Sequence, residues 1–243
     1  MSNYFVNFPK VQYYFGDEEN SVLFDNISVY IDLIDQLSSN PEFYQKYFIK
    51  ENERPDALSY KLYGTTNYHW TFLFANTKLR ESGWPISNRA IVELAKKYYP
   101  HKTITSQSEL FNKFDVGKTI SGSISGATGI VVDKRIDLGQ IIVSTENTFF
   151  EGESVTQTDD PTKSIIVYSF TQQYNSNHHY ENADGDYIDI DPYNISSSTS
   201  GLIPITFTER LRNKNDDLRQ INVIRSDAVK QVDAEFKKYL KRS

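Results

Sequence analysis

A proline at 55, a glycine at 64 and a Trp-Pro pair at 84–85 punctuate one stretch of this chain so tightly that its local geometry is nearly dictated. The stretch is ERPDALSYKLYGTTNYHWTFLFANTKLRESGWP, residues 53–85. Arg54-Pro55-Asp56 reads as a helix start, because proline loses nothing at the first helical position and an acid suits the positive end of the helix dipole. Leu58 and Leu62 then share a face, and Gly64 lets the chain leave the helix. Asn67 is placed to cap a second helix in which Trp70, Leu73, Phe74 and Thr77 fall at i, i+3, i+4 and i+7. The expectation is a compact helix-turn-helix with an aromatic core, followed by a short loop and Trp84-Pro85.

On the N-terminal side, Val11, Tyr13 and Phe15 alternate and Val22-Leu23-Phe24 form a short apolar run, so this part reads as extended, with a turn at Gly16–Asn20. Ile27 to Leu37 allows a short helix that Ser39-Asn40-Pro41 breaks. Phe43 to Ile49 fits either a strand or a helix. Beyond Pro85, Ser87 is placed to cap a helix with the stripe Ile91, Leu94, Ala95 and Tyr98, which Pro100 ends.

The composition then changes. Between Thr103 and Val167 there is no tyrosine or tryptophan, while six of the 11 glycines gather between Val116 and Gly152. The β-branched runs Ile130-Val131-Val132, Ile141-Ile142-Val143 and Ile165-Ile166-Val167 are strands joined by tight turns. Phe114-Asp-Val-Gly117-Lys-Thr-Ile120 matches Phe149-Phe-Glu-Gly152-Glu-Ser-Val155 as a weak internal repeat. We read residues 108–170 as a small all-β barrel of SH3-like shape. SGSISGATG lacks the lysine of a phosphate loop and runs into a strand, so it is a hairpin turn. Residues 171–201 are polar, with a hairpin turn at Asp184-Gly185. Near the end, Leu218, Ile221, Val223 and Ile224 read as a strand, and Ser226 caps a last helix with the stripe Val229, Val232, Phe236 and Tyr239-Leu240. Its basic end carries Lys237, Lys238, Lys241 and Arg242.

Several function classes find no support. The 26 basic and 32 acidic residues leave a net charge of −6 with no basic run, against sequence-independent nucleic-acid binding, which needs clustered cations to displace counterions. The absence of cysteine excludes disulfides and thiolate metal sites. No secretory signal and no membrane span are expected. Asp184, Asp186, Asp189 and Asp191 do not fit the twelve-residue calcium loop, and His178 and His179, adjacent in a strand, should face opposite sides. His69 is expected at the surface beside a core Trp70. With His69, His101, His178 and His179 as the only imidazoles and no nucleophile elbow, no catalytic constellation is visible. The chain is read as non-enzymatic, with no cofactor and no metal. The 17 tyrosines and 15 phenylalanines suit aromatic cores in small domains and subunit contacts.

Glu53-Arg54-Pro55-Asp56, Leu58, Leu62-Tyr63-Gly64, Trp70, Asn76 and Trp84-Pro85-Ile86-Ser87, taken with their spacing, resemble the signature of the baseplate wedge protein 53 family of T-even type contractile-tailed phages. The NKNDDLRQINVI-then-helix tail is similar to the end of the same family, so the resemblance covers about residues 20–100 and 205–240. It implies a LysM-like module, two helices on a short two-stranded sheet, and tips residues 43–49 towards a strand. The resulting reading is an α+β chain: an N-terminal arm and short helix (1–52), a LysM-like helical module (53–102), a barrel-like insert (103–170), a polar hairpin and loop (171–206) and a C-terminal strand and helix (207–243). The resemblance implies a virion structural protein, assembled in the host cytoplasm, that joins other wedge subunits and neighbouring wedges in a multi-copy hetero-oligomeric baseplate, with no nucleic acid or membrane partner. Its structural or interface candidates are Arg54, Pro55, Asp56, Leu58, Tyr63, Gly64, Trp70, Asn76, Trp84, Pro85, Val232 and Phe236. The competing class is a LysM-type glycan-binding module of a cell-wall or lytic protein, with a saccharide groove beside Tyr63-Gly64 and the loop before Trp84.

Overall fold

The computed structural model describes residues 10–14, 21–25 and 41–240. Phe15, the turn at 16–20, the short helix expected within 27–37 with its break at 39–40, and Lys241 and Arg242 lie outside the described residues. The chain divides into two compact units, residues 1–87 with 215–243, and residues 88–214.

Unit 1 begins with the antiparallel pair β1 (Lys10–Tyr14) and β2 (Ser21–Asp25), in which Val11 faces Phe24 and Tyr13 faces Val22. A 3-10 turn (Pro41–Phe43) leads into β3 (Tyr44–Phe48), so the ambiguous 43–49 stretch is a strand. Helix α1 (Pro55–Tyr63) carries Pro55 in its first turn and ends at Gly64, whose φ of 72° is costly for any residue with a Cβ. Its N–H reaches Tyr60 O at 2.9 Å.

The second helix departs from expectation. Asn67 is not its cap: Thr65 accepts from Asn67 N–H and opens a 3-10 turn (Thr66–Tyr68) instead. Helix α2 (Trp70–Ala75) stops at Asn76, which is extended (φ −135°, ψ 104°), and α3 (Thr77–Ser82) restarts the helix. Leu73, expected in the stripe, is exposed, whereas Phe72 is fully buried. Helix α2 is therefore covered on two sides, by Trp70 and Phe74 in one apolar cluster and by Phe72 in another.

Unit 2 opens with α4 (Asn88–Tyr98), which buries Ile91 and Ala95 but leaves Tyr98 exposed. Seven strands follow: β4 (Lys102–Thr105), β5 (Thr119–Gly122), β6 (Thr128–Arg135), β7 (Gln140–Ser144), β8 (Ser154–Gln157), β9 (Asp160–Ile166) and β10 (Ser169–Gln172). They form one antiparallel sheet in the order β10-β4-β7-β6-β5-β8-β9, around a core that includes Ile104, Phe114, Ile120, Val143, Phe149 and Val155. The three apolar runs and the 122–128 turn are as expected, but the sheet is not a closed barrel. Its edges β9 and β10 are consecutive in the chain yet share no ladder. At their junction Val167 N–H bonds to Glu153 O, at the start of β8, while Tyr168 N–H bonds to Thr105 O on β4. Successive residues thus serve opposite neighbours, β8 on one side and β4 on the other, and β9 and β10 meet only through the chain.

The internal repeat is structural. Phe114 and Phe149 are both buried, and Gly117 and Gly152 have φ of 86° and 83°. Gly117 N–H bonds Val131 O while Val131 N–H returns to Lys118 O; Gly152, Val167 and Glu153 make the same bracket. Where the two copies meet, Ser121 pairs with Thr156, its own counterpart, flanked by Ile120↔Gln157 and Gly122↔Val155. Exchanging the copies maps this ladder onto itself, so a pseudo-two-fold axis passes through the Ser121–Thr156 pair.

After the sheet come β11 (Asn177–Glu181), β12 (Tyr187–Ile188), α5 (Ile195–Ser198), β13 (Ile203–Thr206) and α6 (Phe207–Asp217). The hairpin at Asp184-Gly185 is present, its loop held by Asn182 Oδ1, which accepts from Asp184 and Asp186 N–H. One inference fails here. A register shift between Asn177 and His179 breaks the alternation of β11, so the rings of His178 and His179 meet, Nδ1 to Nδ1 at 3.0 Å.

The chain then completes unit 1. Strand β14 (Gln220–Ile224) pairs antiparallel with β3, Asn222 opposite Lys46, and α7 (Val229–Leu240) follows. Helix α7 starts three residues beyond Ser226, after a turn in which Val229 N–H reaches Arg225 O.

Candidate functional site

Unit 1 is tied together by side chains that act across 129 or more residues of sequence. The Asn76 side chain works as a piece of strand: its Oδ1 accepts from Asn222 N–H at 2.8 Å, and its Nδ2 donates to Asn222 O and Phe72 O, each at 2.8 Å. These bonds hold Asn76 out of helical geometry, which is why α2 and α3 are separate. Asn215 repeats the device, accepting from Ile86 N–H at 2.8 Å and donating to Ile86 O at 3.1 Å. Arg219, buried, donates to Ile49 O, Ile86 O, Glu51 Oε2 and Asp216 Oδ1. Asn76→Ala strips all three amide bonds and is expected to cost about 2–3 kcal/mol, because the Asn222 N–H and C=O lose their partners. Urea unfolding followed by tryptophan fluorescence measures this, since both tryptophans, Trp70 and Trp84, lie in unit 1.

The sequence-derived candidates are placed as follows. Arg54 and Asp56 form an exposed ion pair at 3.1 Å, Pro55 opens α1, and Leu58 is fully buried beside Phe72, Ile221 and Val223. Tyr63 donates to Ile224 O at 2.8 Å; burial pushes its phenol up to about 12, partly offset by bonds with Thr71 and Ile224. Trp84 donates from Nε1 to Glu53 O at 2.7 Å, and Pro85 is buried. Trp70 stacks on Phe236 with centroids 4.7 Å apart, in a cluster that includes Val232. His69 is half-buried, with Nδ1 2.9 Å from Thr66 O.

Glu53, quoted in the signature, holds the entry to α1. Its carboxylate accepts from Tyr47 OH, Lys50 N–H and Lys61 Nζ. Burial raises its pKa, but these three bonds outweigh it and the net shift is downward. Tyr47, Lys61, Asn215, Arg219 and Asn222 escaped the sequence reading. Only the polar pattern of NKNDDLRQINVI hints at the last three, and a buried polar residue looks like an exposed one in such a run.

In unit 2, His178 is held neutral: burial, then Arg210, Arg135, His179 and Lys214, bring its pKa down to about 4. His179 bonds Glu181 at 2.9 Å and stacks on Tyr187. Asp191 accepts from Tyr193 N–H and Asn194 Nδ2. Among the described residues no three His, Cys, Asp or Glu side chains gather as a metal site would need.

Glu53, Asn76 and Trp84 thus spend their polar groups on the module's own backbone and side chains. Residues 8–116 match the family model of base plate wedge protein 53. The match supports the baseplate wedge family and, with it, a structural role in a phage tail baseplate and assembly with other baseplate proteins. A comparison with curated proteins finds no match. The wedge-family stretch contains every sequence-derived candidate except Val232 and Phe236. Its unit 1 part is completed by β14 and α7, which lie beyond it. No helix of the described residues is long and apolar enough to cross a membrane.

Proposed function

We propose that this chain joins wedge subunits, and neighbouring wedges, during assembly of a phage baseplate, as a non-enzymatic part of the virion assembled in the host cytoplasm. The observation that carries this reading is the interlock of unit 1, where Asn76, Asn215 and Arg219 spend their polar groups on backbone atoms and so fix a rigid body. A joining element needs such pre-organisation, because every side chain ordered on binding costs affinity. The strand–helix–helix–strand order β3, α1, α2–α3, β14 supports a LysM-like reading of this body, with the long insert placed before its second strand. Arg54, Asp56 and Trp84 act in it as positioning residues, whereas β1–β2, with Val11, Tyr13, Leu23 and Phe24 exposed, offers apolar contact surface.

The test is assembly with the chain omitted. Baseplate proteins lacking it are expected to accumulate as separate wedges in a sedimentation gradient, and adding it back is expected to restore rings. Rings formed equally well without the chain would end the reading.

A further inference from the structure

The two edges of the β3–β14 sheet are treated in opposite ways. In an antiparallel pair, alternate residues turn their N–H and C=O away from the partner. On β14 three of these outward groups are closed off by side chains, Asn76 on Asn222 N–H and O, and Tyr63 on Ile224 O. Lys46 faces Asn222 across the ladder, so its own N–H and C=O also point outward, along with Tyr44 C=O and Phe48 N–H. None of these four groups has a hydrogen-bond partner among the described residues. The register from Tyr44 to Phe48 is unbroken, with no bulge and no proline, so the usual protections of an edge strand are missing apart from one lysine. The long edge strand β9, by contrast, carries Pro161 and lies outside the wedge-family stretch, which contains β3.

We propose that the open edge of β3 receives one extended strand of a partner wedge subunit, with an acidic residue opposite Lys46 and apolar residues two positions to either side. The proposal rests on the baseplate reading and names the contact through which it operates. Directly opposed residues of an antiparallel pair share a face, so the partner's three side chains lie against Tyr44, Lys46 and Phe48. Phe48 is 61 % exposed and gains apolar cover. Lys46 is exposed, has no ion pair among the described residues, and lines an open cavity of about 380 Å³ with Tyr44, Ala75 and Asn222. A second copy of this chain is a poor occupant, because a symmetric pairing centred here sets Lys46 against Lys46. Four main-chain hydrogen bonds give the affinity and the apolar–x–acidic–x–apolar pattern gives the specificity.

The test uses the full chain and its wedge partners. Lys46→Pro removes an outward N–H that β14 does not use, a position at which an edge strand tolerates proline. It is expected to keep native tryptophan fluorescence and to bind its partners at least about tenfold more weakly, while Lys46→Thr, which keeps the N–H, weakens binding about threefold. In the wild-type complex, hydrogen exchange at the Lys46 and Phe48 amides is expected to slow from unprotected rates, a reading independent of whether the proline variant folds. Assembly that leaves these two amides exchanging freely overturns the strand proposal alone. A wild-type chain that joins no wedge partner overturns the baseplate reading and this proposal together.

Discussion

Phe236→Ala is expected to destabilise unit 1 by about 3–5 kcal/mol, the range for removing a buried aromatic ring from a packed core. The ring stacks on Trp70 at 4.7 Å, and the surrounding cluster draws Ile224 from β14, Phe74 from α2 and Val229 and Val232 from α7. Little can collapse into the space, because Trp70 is held in turn by an edge-on contact with Phe74 at 5.8 Å. Domains of this kind have only about 5–15 kcal/mol of net stability, so the loss takes a large share of the total. Urea unfolding followed by tryptophan fluorescence is the measurement, and Phe236→Leu, which refills most of the volume, is expected to recover more than half of it. A midpoint unchanged in Phe236→Ala would mean that α7 is not part of this core.

The second large effect is in the β-sheet of unit 2. Glu153 is fully buried, and its carboxylate accepts from the N–H groups of Ile124, Ser125 and Phe150 and from Ser125 Oγ. Burial alone raises its pKa, but the bonds from Ser125, Phe150 and Ile124 outweigh it and hold the carboxyl below its usual range. A group depressed in the folded state stabilises fully above its unfolded pKa, near 4.5, and that stability is lost as pH falls through the lower folded value. Glu153→Gln keeps the shape but turns an NH₂ towards N–H donors, and is expected to cost about 2–4 kcal/mol at pH 7. The gap to wild type should narrow below the folded pKa, where the native carboxyl is itself protonated. Hydrogen exchange of β5 and β8 amides across that pH range is the check, with a pH-independent gap as the contrary result.

Much of this architecture is written locally. Pro55 and Gly64 delimit α1 because each has a backbone preference that its neighbours cannot override, and the three β-branched runs fall in β6, β7 and β9 for the same kind of reason. The repeat was visible because Phe114 and Phe149, with Gly117 and Gly152, meet one steric demand twice. What escaped depends on partners far away in sequence. Periodicity carries α2 through Asn76 without a break, and only the bonds to Asn222 show why it stops. Alternation sends His178 and His179 apart, and the bulge that joins them leaves no mark in the residues themselves. The open sheet escaped for a related reason: whether β9 pairs with β10 is decided by tertiary pairing and not by their own residues. The candidate residues of 53–85 were legible as a set, and so were the strand and helix of the tail, but the bonds that tie the tail to them were not, since Asn215 and Arg219 sit in a run that reads as solvated.

The most direct test of the assembly role is the mass of the chain in solution, by light scattering after size exclusion, alone and mixed with the other wedge proteins of its phage. A discrete heavier complex is expected for the wild type, and a loss of it for a chain ending at residue 225, which lacks α7 and four of the seven buried residues of the Trp70 cluster. Wild-type chain that elutes at its own 28.1 kDa in every mixture would contradict the account.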